Sequence, residues 1–270
     1  MKSLRIGILT VAAACLTTPV VFGQRVFGGA NRDFGAAQMA KIFGKNQAFS
    51  ADADLSVVEQ QGGGTGGPVT MAAQYAFLKG NLRTDIDMSS MKGGNIPPQA
   101  GAQMKMIGMD RIVNIFRTEA QVSYTIYPNL KSYCVIDKST TESDKTPPKE
   151  PKITVTPIGK ETVDGHPCVK NKVTIDDDGK VQEMTTWQAS DLNDFPVKME
   201  VQAGTADVTV HFTNIKTSAP DSSLFEPPAD FKKYDSIQEL MMSAMGGMRG
   251  GMPGMPPRGA VPPPSGGGGN

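Results

Sequence analysis

The chain has 270 residues, 27 basic and 27 acidic side chains, 30 glycines, 20 prolines and only 6% aromatic residues. This balance of charge argues against a protein that binds nucleic acid through a basic surface, and two histidines are too few for a histidine-rich metal centre. The length is sufficient to bury a hydrophobic core in one domain or two.

The first 23 residues have the features of a secretory signal peptide. A basic start at Lys2 and Arg5 precedes an apolar stretch, residues 6–14, and a small-residue cleavage site at Gly23. The stretch is too short for the ~20 apolar residues of a membrane span. We therefore predict a periplasmic or secreted protein with no transmembrane segment in the mature chain. The alternative is a lipid anchor on Cys15, which follows three alanines as in a lipobox.

Two cysteines, Cys134 and Cys168, are left after removal of the signal peptide. An isolated pair of cysteines in an exported protein is typical of a disulfide. The alternatives are reactive thiols or half of a zinc site, and the latter needs two more ligands at short spacing that the sequence lacks. We predict a disulfide between Cys134 and Cys168.

Helices are predicted near both ends of the mature domain. Residues 33–43 have a capping aspartate and apolar side chains at helical spacing. Near the other end, Ser236 and Glu239 form a capping box at the start of a helix whose apolar face includes Leu240. In residues 246–270, 16 of 25 residues are glycine or proline, a composition that predicts a disordered tail. The predicted domain therefore spans residues 24–245.

Between these helices, the apolar residues recur with period two, which predicts β-strands. Strands are predicted near residues 49–57, 82–88, 112–116, 122–127 and 133–137 in the first half, and near 153–163, 167–175, 181–188, 197–202 and 208–212 in the second. Asp164-Gly165 and Asp178-Gly179 are typical of hairpin turns. Residues 139–152, charged and proline-containing, are expected to connect two halves of one sheet. The predicted fold is mainly β with α: a curved antiparallel sheet that forms an incomplete β-barrel, covered by N- and C-terminal helices.

Motifs for catalysis, metals and phosphates are weak. The aspartates before Gly179 do not fit an EF-hand loop, because the positions of its first and last ligands are threonines, Thr174 and Thr185. The glycines of residues 62–67 lack the lysine of a phosphate-binding loop. His166 and His211 come without a nucleophile motif, and Asp85 with Asp87 is typical of a solvated strand face. We predict no enzyme activity, no metal site and no cofactor.

Methionines are unusually frequent near the C-terminus. Six of them lie between residues 241 and 255. Thioethers bind Cu(I), so a copper site is one alternative. The other is that the first methionines pack the last helix and the rest belong to the tail.

Three stretches of the sequence resemble the bacterial outer-membrane lipoprotein carrier-like (LolA-like) superfamily, and within it a family of uncharacterised envelope proteins. They are FSADADLSV at 49–57, AFLKGNLRTDIDM at 76–88, and VHFTNI at 210–215 with DSSLFEPP at 221–228. The likeness spans residues 32–235. Gly80 falls near the position at which the carriers have a lid-closing arginine, and the carriers have no tail like that of residues 246–270. The resemblance therefore does not imply lipoprotein shuttling.

The resemblance implies a half-barrel whose concave apolar face is covered by helices and holds acyl chains. We therefore expect a non-enzymatic protein that binds a lipid-like or other apolar ligand. Its expected ligand-binding residues are Leu55, Val57, Leu82, Ile86, Met88, Phe116, Tyr124 and Ile126. The alternative is an envelope interaction or sensor protein whose cavity is filled and whose surface binds a protein partner.

Overall fold

The computed structural model describes residues 42–43, 45–59, 67–94, 96–117, 119–120, 122–137, 152–177, 179–203 and 206–250. The predicted signal peptide, residues 33–41 of the first predicted helix, almost all of the 139–152 connection and residues 251–270 lie outside these ranges. In the described part, no helix is both long and apolar enough to cross a membrane.

Twelve strands form one sheet in the described part of the chain. They are β1 (Ala48–Glu59), β2 (Val69–Leu78), β3 (Asn81–Gly93), β4 (Arg111–Arg117), β5 (Val122–Tyr127), β6 (Ser132–Asp137), β7 (Lys152–Val163), β8 (His166–Asp177), β9 (Lys180–Ala189), β10 (Phe195–Ala203), β11 (Ala206–Lys216) and β12 (Lys232–Tyr234). The described residues also include the helices α1 (Ala100–Met106) and α2 (Ile237–Gly250).

The strand order is β12-β6-β5-β4-β3-β2-β1-β11-β10-β9-β8-β7. Strands β1–β6 and β7–β11 are two antiparallel meanders, and they meet where β1 pairs with β11. Only β12, which lies beside β6, is parallel to its neighbour. The sheet is not closed, since β12 and β7 are its two edges. The predicted mainly-β fold with an incomplete barrel made of two halves is confirmed.

Most strand predictions agree with the structure within a few residues, but two strands and one helix were missed. Strand β2 contains three alanines and a glutamine, residues of low β-propensity, and β12 has only three residues. Helix α1 lies between the strands predicted near 82–88 and 112–116, where no element was predicted, because seven residues including Gly101 give little helical signal. Helix α2 continues to Gly250, five residues into the predicted tail.

Cross-strand register divides the sheet into two faces. Phe49, Ala53 and Leu55 on β1 lie opposite Phe77, Ala73 and Met71 on β2, and Ala53 and Leu55 also pair with Phe212 and Val210 on β11. All of these side chains are buried in one hydrophobic cluster. We call the side of the sheet that carries them the inner face.

Five phenylalanines pack together on the inner face, near the start of β1. Phe49 lies 4.7 Å from Phe43, 5.6 Å from Phe77 and 4.8 Å from Phe195 between ring centroids, and Phe195 lies 5.4 Å from Phe212. The Phe49–Phe77 pair is stacked and the others are tilted or edge-on, and such contacts are favourable for aromatic rings at these separations. This end of the inner face is therefore filled by side chains.

Both helices pack on the sheet. A Cβ added to Gly101 of α1 would lie 2.6 Å from the carbonyl oxygen of Ser89, so α1 approaches the backbone of β3 closely. Met104 of α1 and Leu240 of α2 are buried in the inner-face cluster. At the start of α2, Ser236 accepts a hydrogen bond from the Glu239 amide at 3.1 Å, as the predicted capping box requires, whereas the Glu239 carboxylate accepts one from the Asp235 amide at 3.2 Å and not from that of Ser236.

The predicted disulfide is absent from the structure, in which Cys134 and Cys168 are both buried free thiols. Cys134 lies on β6 and Cys168 on β8, and eight strands stand between β6 and β8 in the sheet. The prediction assumed that these two strands are neighbours. It was wrong because the second meander joins the first through β11, not through β7 or β8.

Candidate functional site

The buried part of the inner face carries no charged side chain among the described residues. Among the buried residues of the described chain only Asp85 is charged, and its register partners Gln74 and Val113 place it on the opposite, outer face. The buried polar residues of the inner face are the neutral Thr84, Thr125, Ser132, Asn171 and Thr186. A ligand enclosed by this face would meet apolar and neutral polar groups.

Most of the predicted ligand-binding residues share the inner face. Leu55, Leu82, Ile86 and Met88 are at most 4% exposed, and Val57 and Phe116 occupy the same face by register. Tyr124 and Ile126 lie on the outer face instead, because they pair with Ile115 and Val113. There they pack in a second, smaller cluster with Phe225.

The two ends of the inner face differ in burial. At the phenylalanine end the side chains are fully buried. At the other end, Val57, Val69 and Met91 are only partly buried although they pack against the same cluster. Apolar surface of the inner face is therefore accessible at the end that contains the last residues of β1 and the first residues of β2.

A row of polar side chains crosses the inner face. Thr84, Asn114, Thr125 and Cys134 lie opposite one another on β3, β4, β5 and β6. Asn114 Oδ1 accepts a hydrogen bond from Thr125 Oγ1 at 3.1 Å, whereas Asn114 Nδ2 is buried with no hydrogen-bond partner. Burial raises the pKa of the Cys134 thiol to about 11, so the row is neutral at physiological pH. No sequence pattern indicated this row, because its members belong to four different strands.

Asp85 does not belong to a solvated face as the sequence suggested. Its two carboxylate oxygens accept hydrogen bonds from Arg111 Nε and Nη2, each at 2.7 Å, and Arg83 Nη2 lies 3.4 Å away. Arg83 also donates to the carbonyl oxygen of Leu224 at 2.9 Å. Arg83 thus links Asp85 to the segment around Leu224 and holds that segment over the outer face. Asp85 therefore has a structural role.

A pocket of about 660 Å³ lies on the outer face of the second meander. Its polar lining includes Lys172, Glu183, Glu200 and Thr209, and Ile158 of β7 contributes an exposed apolar side chain. Lys172 and Glu183 form an ion pair at 2.7 Å. The lining differs from the neutral inner face and does not match an acyl chain.

Both histidines of the chain hold the β7–β8 hairpin. His166 Nδ1 lies 2.8 Å from Asp191 Oδ2, and His211 Nε2 contacts the carboxylate of Asp164 in the hairpin turn. Between them on the outer face lies Trp187, with the ammonium groups of Lys170 and Lys198 at 4.6 and 4.4 Å from its ring centroid. The two histidines thus have charged partners consistent with a structural role.

A family model described as "Domain of unknown function (DUF4412)" matches residues 65–195, which include strands β2 to β9. No protein among those with curated descriptions matches the chain.

Solved structures of low sequence identity are similar to the chain. A DUF1329 family protein from Desulfovibrio piger is 13% identical, with 71% of this chain and 94% of that chain covered and a TM-score of 0.33. The lipoprotein LppX from Mycobacterium tuberculosis is 10% identical, covering 63% and 88% at a TM-score of 0.31. A LolA superfamily protein from Nitrosomonas europaea is 8% identical, covering 69% and 93% at a TM-score of 0.29. These names include the superfamily that the three sequence stretches resemble.

Proposed function

We propose that this protein is an exported, non-enzymatic carrier or receptor of a neutral apolar ligand, which binds on the inner face of the sheet. The observation that carries the proposal is that, among the described residues, the buried part of the inner face of a wide, open sheet carries no charged side chain. About eight strands suffice to close a barrel that side chains can fill, whereas wider barrels enclose ligand cavities or channels. A twelve-stranded curved sheet therefore offers more interior than its own side chains need.

Val57 provides the test of where the ligand enters. It is partly buried at the accessible end of the inner face, and its neighbour Val58 points to the other face and is 42% exposed. We expect Val57→Asp to weaken binding of a fluorescent fatty-acyl probe at least tenfold, because a carboxylate would be placed in the apolar path. Val58→Asp is the matched control and should bind the probe as the unchanged protein does.

Native mass spectrometry of the full chain, purified without detergent, tests the function itself. Acyl-containing species that remain bound support the proposal. A protein without bound species that also takes up no acyl probe contradicts it.

The competing function is an envelope interaction protein with a filled interior. Burial of Leu55, Leu82, Ile86 and Met88 to at most 4% exposure favours it, since these side chains already have packing partners. In that case neither Val57→Asp nor Val58→Asp would change any acyl binding, because none would be measured.

A further inference from the structure

Three buried side-chain polar atoms of the described residues have no hydrogen-bond partner: Asn114 Nδ2, Thr186 Oγ1 and Trp187 Nε1. A buried polar group without a partner costs about 1–3 kcal/mol, and in folded proteins such groups are rare. Each one therefore requires an explanation, such as a partner that is not part of the chain.

Two of the three atoms belong to the inner face. Asn114 lies between Thr84 and Thr125 in register. Thr186 lies between Asn171 and Met199, and it is fully buried. Trp187, the next residue along β9, faces the other side of the sheet and has lysines over its ring. Asn114 and Thr186 therefore lie on the same face of the sheet.

Asn114 and Thr186 come from different halves of the sheet. Asn114 is on β4 in the first meander and Thr186 is on β9 in the second, with five strands between them. A curved sheet brings its two halves to face each other across the concave side. The unpaired groups therefore belong to both walls of the interior.

Both groups can donate a hydrogen bond. Asn114 Nδ2 is a donor, its Oδ1 being engaged with Thr125, and a threonine hydroxyl can donate as well as accept. The complementary ligand group is an acceptor without charge, because none of the buried residues that the structure describes is basic and could compensate an anion. An ester carbonyl oxygen is such an acceptor. A hydrocarbon has no acceptor, an ether oxygen is a weaker acceptor than a carbonyl oxygen, and a carboxylate is charged.

We propose that the inner face selects neutral acyl esters, whose carbonyl oxygens accept hydrogen bonds from Asn114 and Thr186. This inference rests on the proposed binding of an apolar ligand and names its chemical class.

The experiment compares two glycerolipids of equal chain length, the ester 1,2-dioctanoylglycerol and the ether 1,2-dioctylglycerol. Each displaces a fluorescent apolar dye from the full chain, and octanoate serves as the anionic probe. We expect the ester to bind about 2- to 10-fold more tightly than the ether for each hydrogen bond made, which is the usual net value of a neutral hydrogen bond. Octanoate should bind more weakly than the ester.

Two variants assign the preference to the side chains. Thr186→Val keeps the shape of the side chain and removes its hydroxyl, and Asn114→Leu does the same for the amide. Each should lower the affinity for the ester about 2- to 10-fold without changing the affinity for the ether. Thr185→Val, on the outer face, is the matched control and should change neither affinity.

Thermal unfolding of the ligand-free protein adds a readout that distinguishes ligand binding from a structural role. Thr186→Val should leave the melting temperature unchanged or raise it, because an unpaired buried hydroxyl is lost. A lower melting temperature would show that the hydroxyl has a partner within the protein and would overturn the inference for Thr186.

The outcomes separate the inference from the proposed function. If ester and ether displace the dye equally, or octanoate displaces it best, the inference is wrong while the proposed function stands. If the dye does not bind and none of the three probes is taken up, the proposed function itself is wrong. Should Asn114→Leu fail to fold, Thr186→Val with its control still decides the matter.

Discussion

Leu55 lies at the middle of the inner face, where β1 contacts both β2 and β11, and its side chain is completely buried. We expect Leu55→Ala to lower the free energy of unfolding by about 2–5 kcal/mol, since it removes buried methyl groups and leaves a cavity between three strands. Urea denaturation followed by circular dichroism measures this change. Ser56→Ala, at the adjacent position on the other face, should alter the free energy of unfolding by less than ~1 kcal/mol.

Asp85 is the only charged residue among the buried ones that the structure describes. Asp85→Asn keeps the size of the side chain but leaves Arg111 and Arg83 without their anion. We expect a loss of about 1–3 kcal/mol in the free energy of unfolding, at the lower end because Arg111 is half exposed. Glu119→Gln, at an exposed turn, is the control. An unchanged midpoint of urea denaturation in Asp85→Asn would contradict the role given to this cluster.

The two free thiols should be protected in the folded protein. Burial raises the pKa of Cys134 to about 11 and also raises the pKa of Cys168, so little thiolate is present at pH 8. We expect intact mass to show no uptake of iodoacetamide by the native chain at this pH, and uptake at both positions once the protein is unfolded in urea without a reducing agent. Failure of both positions to react in urea would mean that the thiols are joined after all.

At the scale of elements, the β7–β8 hairpin is held across the outer face of the sheet. His211 is on β11, so the contact from Asp164 in the hairpin turn spans β9 and β10. Trp187 on β9 lies in the same outer-face row, next to Lys170 and Lys198, and is only 2% exposed. The hairpin therefore covers the single tryptophan of the chain.

Fluorescence of Trp187 makes this cover measurable. The Asp191 carboxylate has a lowered pKa because His166 hydrogen bonds to it, so this pair is stabilising above the usual aspartate pKa of ~3.9 and is lost as the pH falls below it.

We expect acrylamide to quench Trp187 more strongly at about pH 3 than at pH 6, since protonation of Asp191 removes the carboxylate partner of His166. His211→Asn, which removes the contact with Asp164, should increase the quenching at pH 6. If neither the lower pH nor His211→Asn changes the quenching, the hairpin is held by its backbone pairing alone.

At the scale of the whole molecule, alternation in the sequence predicted the strands that have one polar face. Strand β10 is an example, with Met199 and Val201 inside and Lys198 and Glu200 outside. Strand β5 shows where this reasoning stops. Its apolar Tyr124 and Ile126 face outward and its polar Thr125 faces inward, because the segment containing Phe225 covers the outer face there. When both faces are buried, alternation does not tell which one is the interior.

Features that depend on the order of the strands could not be predicted either, because local sequence patterns do not show which strands are neighbours. Prediction of the row formed by Thr84, Asn114, Thr125 and Cys134 requires the register of four strands. The disulfide prediction failed because it assumed that the strands of Cys134 and Cys168 are neighbours. Turn chemistry, in contrast, is local: Asp164 and Gly165 both have positive φ angles, 52° and 84°, as an Asp-Gly hairpin turn requires. Local signals therefore predicted the elements and their turns, whereas the candidate site required the tertiary arrangement.

The pairing of β1 with β11 has a consequence for how the chain folds. Each meander joins strands that are close in sequence, so its hairpins can form as soon as their residues are available. The central seam instead joins Ala53 to Phe212 and Leu55 to Val210, and such distant contacts require closure of a long loop, which slows folding. We infer that the middle of the sheet is completed last, and that the nascent chain presents two separate half-sheets until residues 206–216 arrive to unite them.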